Sequence, residues 1–232
     1  MSGAATAGLP AAIWERQEGV LRCRYFGRME YASAVELQES LIESSRAGRD
    51  NLLLCEHPAV YTTGRNGDPA NLPTEITDVP VIHTRRGGDV TYHGPGQLVG
   101  YPILDLRRRG GDVHRYLREL EAVLIKLLAA YGISAGGRPG NTGVWVPDRR
   151  TGEPAKIASI GIAVRRSVAW HGFALNVDDE LAAFARIRAC GIPGVRMTSI
   201  AAASRRPTPS LTSVAEEAAR LMGEAFGSTF ED

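Results

Sequence analysis

Lysine is almost missing from this chain. Only Lys126 and Lys156 occur among 232 residues, although Lys and Arg together number 27 and the formal net charge is +1. A charge so near balance gives no bulk attraction to nucleic acid or to an anionic membrane, which leaves partners to be chosen by local patches. Cysteine is also sparse. Cys23, Cys55 and Cys190 are odd in number, far apart and form no C-x-x-C pair, which argues against a disulfide framework or a zinc ribbon and predicts free thiols. The five histidines form no H-E-x-x-H or comparable cluster, so no metal is expected. No run approaches the roughly 20 apolar residues of a membrane span. The opening "MSGAATAGLPAA" lacks the basic start and apolar core of a secretory signal, and a cytoplasmic protein is expected.

What is present is an ordinary globular balance, 44% apolar and 23% charged, in a length that suits one large domain with its own core. Residues 1–19 read as a disordered lead-in and 20–232 as one domain. Leu21, Cys23 and Tyr25 alternate with Arg22 and Arg24, the pattern of a strand with one buried face. A helix is expected over 31–47, turned inward by Ala34, Leu37 and Leu41, with Val35 and Ile42 beside them, and stopped at Gly48. "NLLLCEHP" follows as a buried strand. Val113, Tyr116, Leu117, Leu120, Val123, Leu124, Leu127 and Leu128 form the clearest helical stripe in the chain, with Asp112 to cap it and Gly132 to end it. "TGVWVP", "KIASIGIAV" and "SVAWHGFALNV" read as strands. A helix is expected near 179–189, a linker at 204–210, and a final helix opened by a capping box at Ser213 and Glu216. Strands and helices that do not alternate regularly indicate an α+β fold, a mixed or antiparallel sheet with flanking helices.

Cys23 and Cys55 sit inside apolar strand patterns and read as core. Cys190 stands where the expected helix gives way to "GIPG", a position open to a structural or a nucleophilic thiol. Helix C-terminal carbonyls disfavour a thiolate, so a reactive Cys190 needs a cation from elsewhere. Lys126 falls on the outer face of the long helix. Lys156 opens "KIASIGIAV". A chain that uses arginine almost everywhere and keeps lysine there either needs an amine that can lose its proton or ends a strand with a solvated charge. "RRGGDVTYHGPGQ" sets four glycines around Thr91 and His93 beside the apolar "LVGYPIL". It is either a turn that requires positive φ or a wall where a ligand lies on bare backbone. The arginine pairs at 85–86, 149–150, 165–166 and 205–206 and the run 107–109 read as solvated turns or, together, as a patch for an acidic protein.

In chain order, "EHPAVYTTGRNG", "RRGGDVTYHGPGQLVGYPILDL", "RPGNTGVWV", "KIASIGIAV", "HGFALNV" and "ACGIPGVRMTSI" resemble the lipoyl(octanoyl) transferases over about residues 51–200, roughly two thirds of the chain. The resemblance implies a fold shared with biotin-protein ligases and lipoate-protein ligases. It implies transfer of an octanoyl group from octanoyl-acyl carrier protein to a lysine of lipoyl domains, those of 2-oxoacid dehydrogenase complexes and the glycine cleavage H protein, with no cofactor. It also implies a catalytic pair at Cys190 and Lys156. The acyl site would be walled by Arg86, Gly87, Gly88, Asp89, Val90, Thr91, Tyr92 and His93, by Ser159, Ile160 and Gly161, and by Gly172, Phe173 and Ala174. Small residues on apolar strands suit an alkyl pocket. Ala155 departs from the basic residue expected there, and the turn "PDRRTGEPA" is slightly extended. Two rival readings remain: an ATP-dependent lipoate or biotin-type ligase, which needs no thiol, and a non-catalytic scaffold that grips a carrier domain through the arginine pairs.

Overall fold

Alternation along a few long strands divides the computed structural model, which describes residues 11–75, 77–178 and 181–228, into two buried faces. The strands are β1 (Trp14–Glu18), β2 (Leu21–Arg28), β3 (Asp50–Glu56), β4 (Val60–Thr63), β5 (Val81–His83), β6 (Val90–His93), β7 (Gln97–Asp105), β8 (Gly136–Arg138), β9 (Asn141–Pro147), β10 (Pro154–Arg165), β11 (Val168–Asn176) and β12 (Arg196–Met197). The α-helices are α1 (Tyr31–Arg46), α2 (Val113–Ala130), α3 (Ile200–Ala203) and α4 (Leu211–Phe226). The main sheet runs β1-β2-β3-β7-β11-β10-β9-β8, with β12 added beside β10, and a smaller sheet runs β5-β4-β6. Pairing is mixed: β2–β3, β4–β5 and β10–β12 are parallel and the other ladders antiparallel.

In β3, Leu52 and Leu54 face one core while Leu53 and Cys55 face the other. The first core is closed by the stripe of α2 and by Val214, Ala218, Leu221 and Met222 of α4. The second is closed by Ala34, Leu37 and Ile42 of α1. Buried polar groups lock α1 to the sheet as well. Ser45 Oγ donates to the Ile103 carbonyl at 2.8 Å, and Gln38 Oε1 accepts from the His171 amide at 2.9 Å.

Several sequence expectations are corrected here. The lead-in expected through residue 19 contains β1, whose Trp14 packs against Tyr25 of β2; residues 1–10 lie outside the described residues. The helix expected near 179–189 is a 3-10 segment, Leu181–Arg186, with Asp179 and Glu180 outside the described residues. Leu181, Phe184 and Ile187 recur every third residue and enter one small cluster, a spacing that suits 3-10 geometry. The last helix starts at Leu211, capped by Ser210 through its contact with the Ser213 amide at 3.1 Å, and not at Ser213.

A buried ion pair ties the sheet to α4. Asp50, fully buried, accepts from Arg109 at 3.1 Å, from Arg108 at 3.3 Å and from the Asp105 amide at 3.0 Å, while Arg109 also donates to the Phe226 carbonyl. Replacement Asp50→Ala strands the Arg109 charge and is expected to destabilise the fold by about 3–5 kcal/mol, read as a lower urea midpoint. A midpoint within about 0.5 kcal/mol of wild type would refute this coupling.

Candidate active site

Strict alternation would put Lys156 and Ser159, three residues apart, on opposite faces of β10. A bulge prevents this. Lys156 pairs with Trp145 and Ala158 with Val144, so two residues of β10 oppose one of β9, and Ile157 and Ala158 both enter the first core. Lys156 and Ser159 thereby reach the same sulfur: Lys156 Nζ lies 3.2 Å and Ser159 Oγ 3.8 Å from Cys190 Sγ. Gly143 leaves room for the lysine, since a Cβ there would lie 2.7 Å from Lys156 Cε. The ammonium also sits 5.4 Å from the Trp145 ring centroid. Lys156 is 2% exposed, which removes the solvated strand-end reading.

Cys190 arrives from a single 3-10 turn, Ala189–Gly191, and holds a left-handed φ of 58° that a non-glycine residue adopts at some cost. The turn is clamped. Ala189 is buried among Tyr61, Tyr92 and Phe184. Asp89 presses its carboxylate against Gly191, where a Cβ would lie 2.5 Å from Oδ2. Asn71 Nδ2 donates to that carboxylate at 2.5 Å, and its carbonyl accepts from the Arg188 amide at 3.0 Å. The helix C-terminus that the sequence suggested at the thiol is, among the described residues, a 3-10 segment ending at Arg186 followed by the separate turn Ala189–Gly191.

The pair opens into a cavity of about 230 Å³. Of the residues singled out by sequence, Arg86, Gly88, Asp89, Thr91, His93, Lys156, Ser159, Ile160, Gly161, Gly172, Phe173, Ala174 and Cys190 line it. Gly87, Val90 and Tyr92 do not. The 90–93 stretch is a strand, not a loop, so Thr91 and His93 face the cavity while Tyr92, one residue out of phase, packs with Tyr61 and Phe184. The glycines act chiefly through close backbone approach. Gly87 N donates to the Ile162 carbonyl at 2.7 Å, a Cβ on Gly161 would lie 3.0 Å from the Gly87 carbonyl, and one on Gly172 would collide with the Gly100 carbonyl. Gly88, at φ 82°, supplies the turn. Tyr31, Val99, Tyr101, His171 and Ile192, together with the 140–142 segment, complete the wall, and none of them had a site role in the sequence reading. His171 did leave a trace: alternation in "VAWHGFALNV" puts a histidine on the apolar face of Ala169, Phe173 and Leu175.

Residues 30–222 match the family described as the lipoyl protein ligase A/B catalytic domain. An octanoyltransferase of Geobacter metallireducens is 49% identical over 188 residues, covering 80% of this chain and 84% of the relative. The chain belongs to this family. A bipartite lipoate protein ligase from Thermoplasma acidophilum shares the fold, with a TM-score of 0.67 at 17% identity over 94% of this chain and 87% of the ligase. Biotin protein ligase from Aquifex aeolicus matches with a TM-score of 0.52 at 10% identity over 88% and 69% of the two chains. The expected α+β fold of these ligases is therefore the fold of this octanoyltransferase-family domain.

Behind the pair, the wall of the octanoyltransferase-family cavity is backed by buried polar groups. Arg86, 8% exposed, donates to the Thr62 carbonyl at 2.7 Å and to Thr62 Oγ1 at 2.9 Å, and no carboxylate pairs with it among the described residues. Burial holds its guanidinium below the ordinary arginine range. His57 Nδ1 donates to the Met29 carbonyl at 2.6 Å, so Nε2 accepts from the Tyr101 hydroxyl at 2.7 Å. His93 Nδ1 meets Gln97 Oε1 at 2.7 Å, and Gln97 Nε2 donates to Asn176 Oδ1 at 2.9 Å. Asn176 in turn donates to the Thr198 carbonyl, and the Thr198 amide to the Lys156 carbonyl at 3.0 Å. This chain of bonds runs from the cavity to the strand that carries the lysine.

Burial, the largest cause, lowers His57 to about 4 and both His93 and His171 to about 3, with the Arg86 charge adding to the last two. All three are neutral near pH 7. In the unfolded chain they titrate near 6.5, so between that value and the folded values the unfolded state binds more protons. Stability is full above about pH 6.5 and falls as pH drops, by up to about 1.4 kcal/mol per pH unit for each histidine. The urea midpoint is expected to decrease markedly from pH 7 to pH 5, and less in His57→Gln. Equal decreases in both proteins would remove His57 from the account.

Proposed function

We propose that the protein transfers an octanoyl group from octanoyl-acyl carrier protein to a lysine of lipoyl domains, including those of 2-oxoacid dehydrogenase complexes and the glycine cleavage H protein, in the cytoplasm. The observation that carries this reading is the 3.2 Å contact between Lys156 Nζ and Cys190 Sγ at the edge of a cavity with small-residue walls. The octanoyltransferase relatives support the acyl group. An ATP-dependent ligase has no use for a thiol in that contact.

The ammonium of Lys156 favours the Cys190 thiolate, which attacks the carbonyl carbon of the octanoyl thioester. The C–S bond to the carrier breaks, and the departing carrier sulfur takes a proton from Lys156. Lys156, now neutral, accepts a proton from the incoming lysine amine as that nitrogen attacks the Cys190 thioester. The C–S bond to Cys190 breaks, the amide forms, and the thiolate–ammonium pair is restored. Exchange of thioester for thioester is nearly balanced, and amide formation drives the sequence forward.

Incubation with octanoyl-acyl carrier protein alone should add one octanoyl mass to Cys190 by intact-mass spectrometry, and lipoyl domain should then discharge it. Cys190→Ser is expected to form no adduct. Lys156→Ala should slow both steps by about 10²–10⁴-fold and reduce alkylation of Cys190 by iodoacetamide at neutral pH. Octanoylation of the lipoyl domain at normal speed in Cys190→Ser would overturn the acyl-enzyme route in favour of direct transfer.

A further inference from the structure

His171 breaks the alternation of β11. Its neighbours obey the strand period, with Ala169 and Phe173 in the first core and Trp170 and Ala174 in the second. Yet the rings of Trp170 and His171 stack with centroids 4.0 Å apart and planes at 25°, which consecutive residues of a regular strand cannot do. The cause is a φ of 56° at His171. This left-handed turn swings the imidazole out of the first core and to the cavity side, and the freed amide is taken up by Gln38 of α1. The strain is held from two sides, and the result is a histidine only 2% exposed that lines the cavity.

Neither ring nitrogen of His171 has a hydrogen-bond partner, and neither does the hydroxyl of Thr91, another buried group of the same wall. A hydrocarbon chain can satisfy none of these atoms, so contact with it is disfavoured. The place of His171 along the cavity is also defined. Ser159, beside the Cys190 sulfur, pairs with Ala174, and Ile162 pairs with His171. Three residues of strand separate the two levels, about 10 Å at ~3.3 Å per residue. An extended eight-carbon acyl chain on Cys190 spans a comparable length.

We propose that His171, with Thr91, is the polar stop that sets the acyl chain length, ending the apolar part of the cavity where the eighth carbon arrives. This rests on the acyl-transfer reading above. His171 determines specificity and takes no part in the proton transfers.

The test offers equimolar octanoyl-, decanoyl- and dodecanoyl-acyl carrier protein to the full-length protein and reads the acyl masses on Cys190. Wild type should carry mainly octanoyl. His171→Gly removes the ring and suits the positive φ, and it should raise the decanoyl-to-octanoyl ratio by about tenfold, near what two further buried methylenes allow. His171→Asn, also tolerant of that φ and still able to hydrogen-bond, should return the wild-type ratio. Thr91→Val, nearly isosteric, should raise the ratio severalfold and serves if the glycine variant fails to fold. An unchanged ratio in both His171→Gly and Thr91→Val overturns the proposal. So does a rise in His171→Asn equal to that in His171→Gly, because cavity volume alone would then set the limit. Absence of any adduct on wild-type Cys190 would instead sink the acyl-transfer reading, a result distinct from an adduct with unaltered selectivity.

Discussion

A lysine ammonium buried to 2% exposure, with a thiol as its nearest hydrogen-bonding side chain, is costly unless the neighbour carries negative charge. The contact between Lys156 and Cys190 therefore constrains much that surrounds it. The bulge in β10 turns the lysine to the cavity face, Gly143 clears its path, and Trp145 presents a ring to its charge. On the other side, Asp89 and Asn71 clamp the turn that holds the cysteine in a left-handed conformation. Each partner reaches the contact through a local departure from regular structure, and each departure is braced by neighbours that permit no relaxation.

The cavity obeys the same logic. Its walls come from two sheets and the start of α1, and these approach one another because glycine backbones meet where side chains would collide. Gly87 against Ile162, Gly161 against Gly87 and Gly172 against Gly100 bring the 86–88 segment, β10, β11 and β7 close enough to enclose an alkyl chain. The narrowness follows from main-chain packing. Arg86, His57 and His93, fixed by hydrogen bonds to Thr62, Met29 and Gln97, and His171, whose ring nitrogens have no partner, then supply the polar groups of the interior.

Much of this was legible in the sequence where the signal is local. The helix α2 follows its apolar stripe and its Asp112 cap, the strand around Cys23 begins with period two, and those around Leu53 and Phe173 are the apolar runs of strands buried on both faces. Other parts were not. β1 is a short, half-buried strand at the edge of the main sheet, and the strands of the β5-β4-β6 sheet are short and joined by long connections. The 181–186 segment has apolar residues at every third position, which can be read as a helix until its packing chooses the tighter form. Val90 and Tyr92 were grouped with their neighbours because a motif is contiguous, whereas a strand presents alternate residues to opposite sides.

The sequence by itself determined the α+β class, the long amphipathic helix, the retention of a lone lysine on an apolar strand in an arginine-rich chain, and the identity of the thiol that a resemblance could point to. These properties reside in composition, spacing and ordered motifs. Only the tertiary structure decided that Lys156 is buried and not solvated, that Cys190 lies 3.2 Å from it across 34 residues of chain, and that His171 turns into the cavity instead of the core. The reason is physical: a bulge, a left-handed φ and a contact between distant segments are each unfavourable or neutral locally. They persist because the assembled sheet, α1 and the clamped turn leave the chain no better alternative.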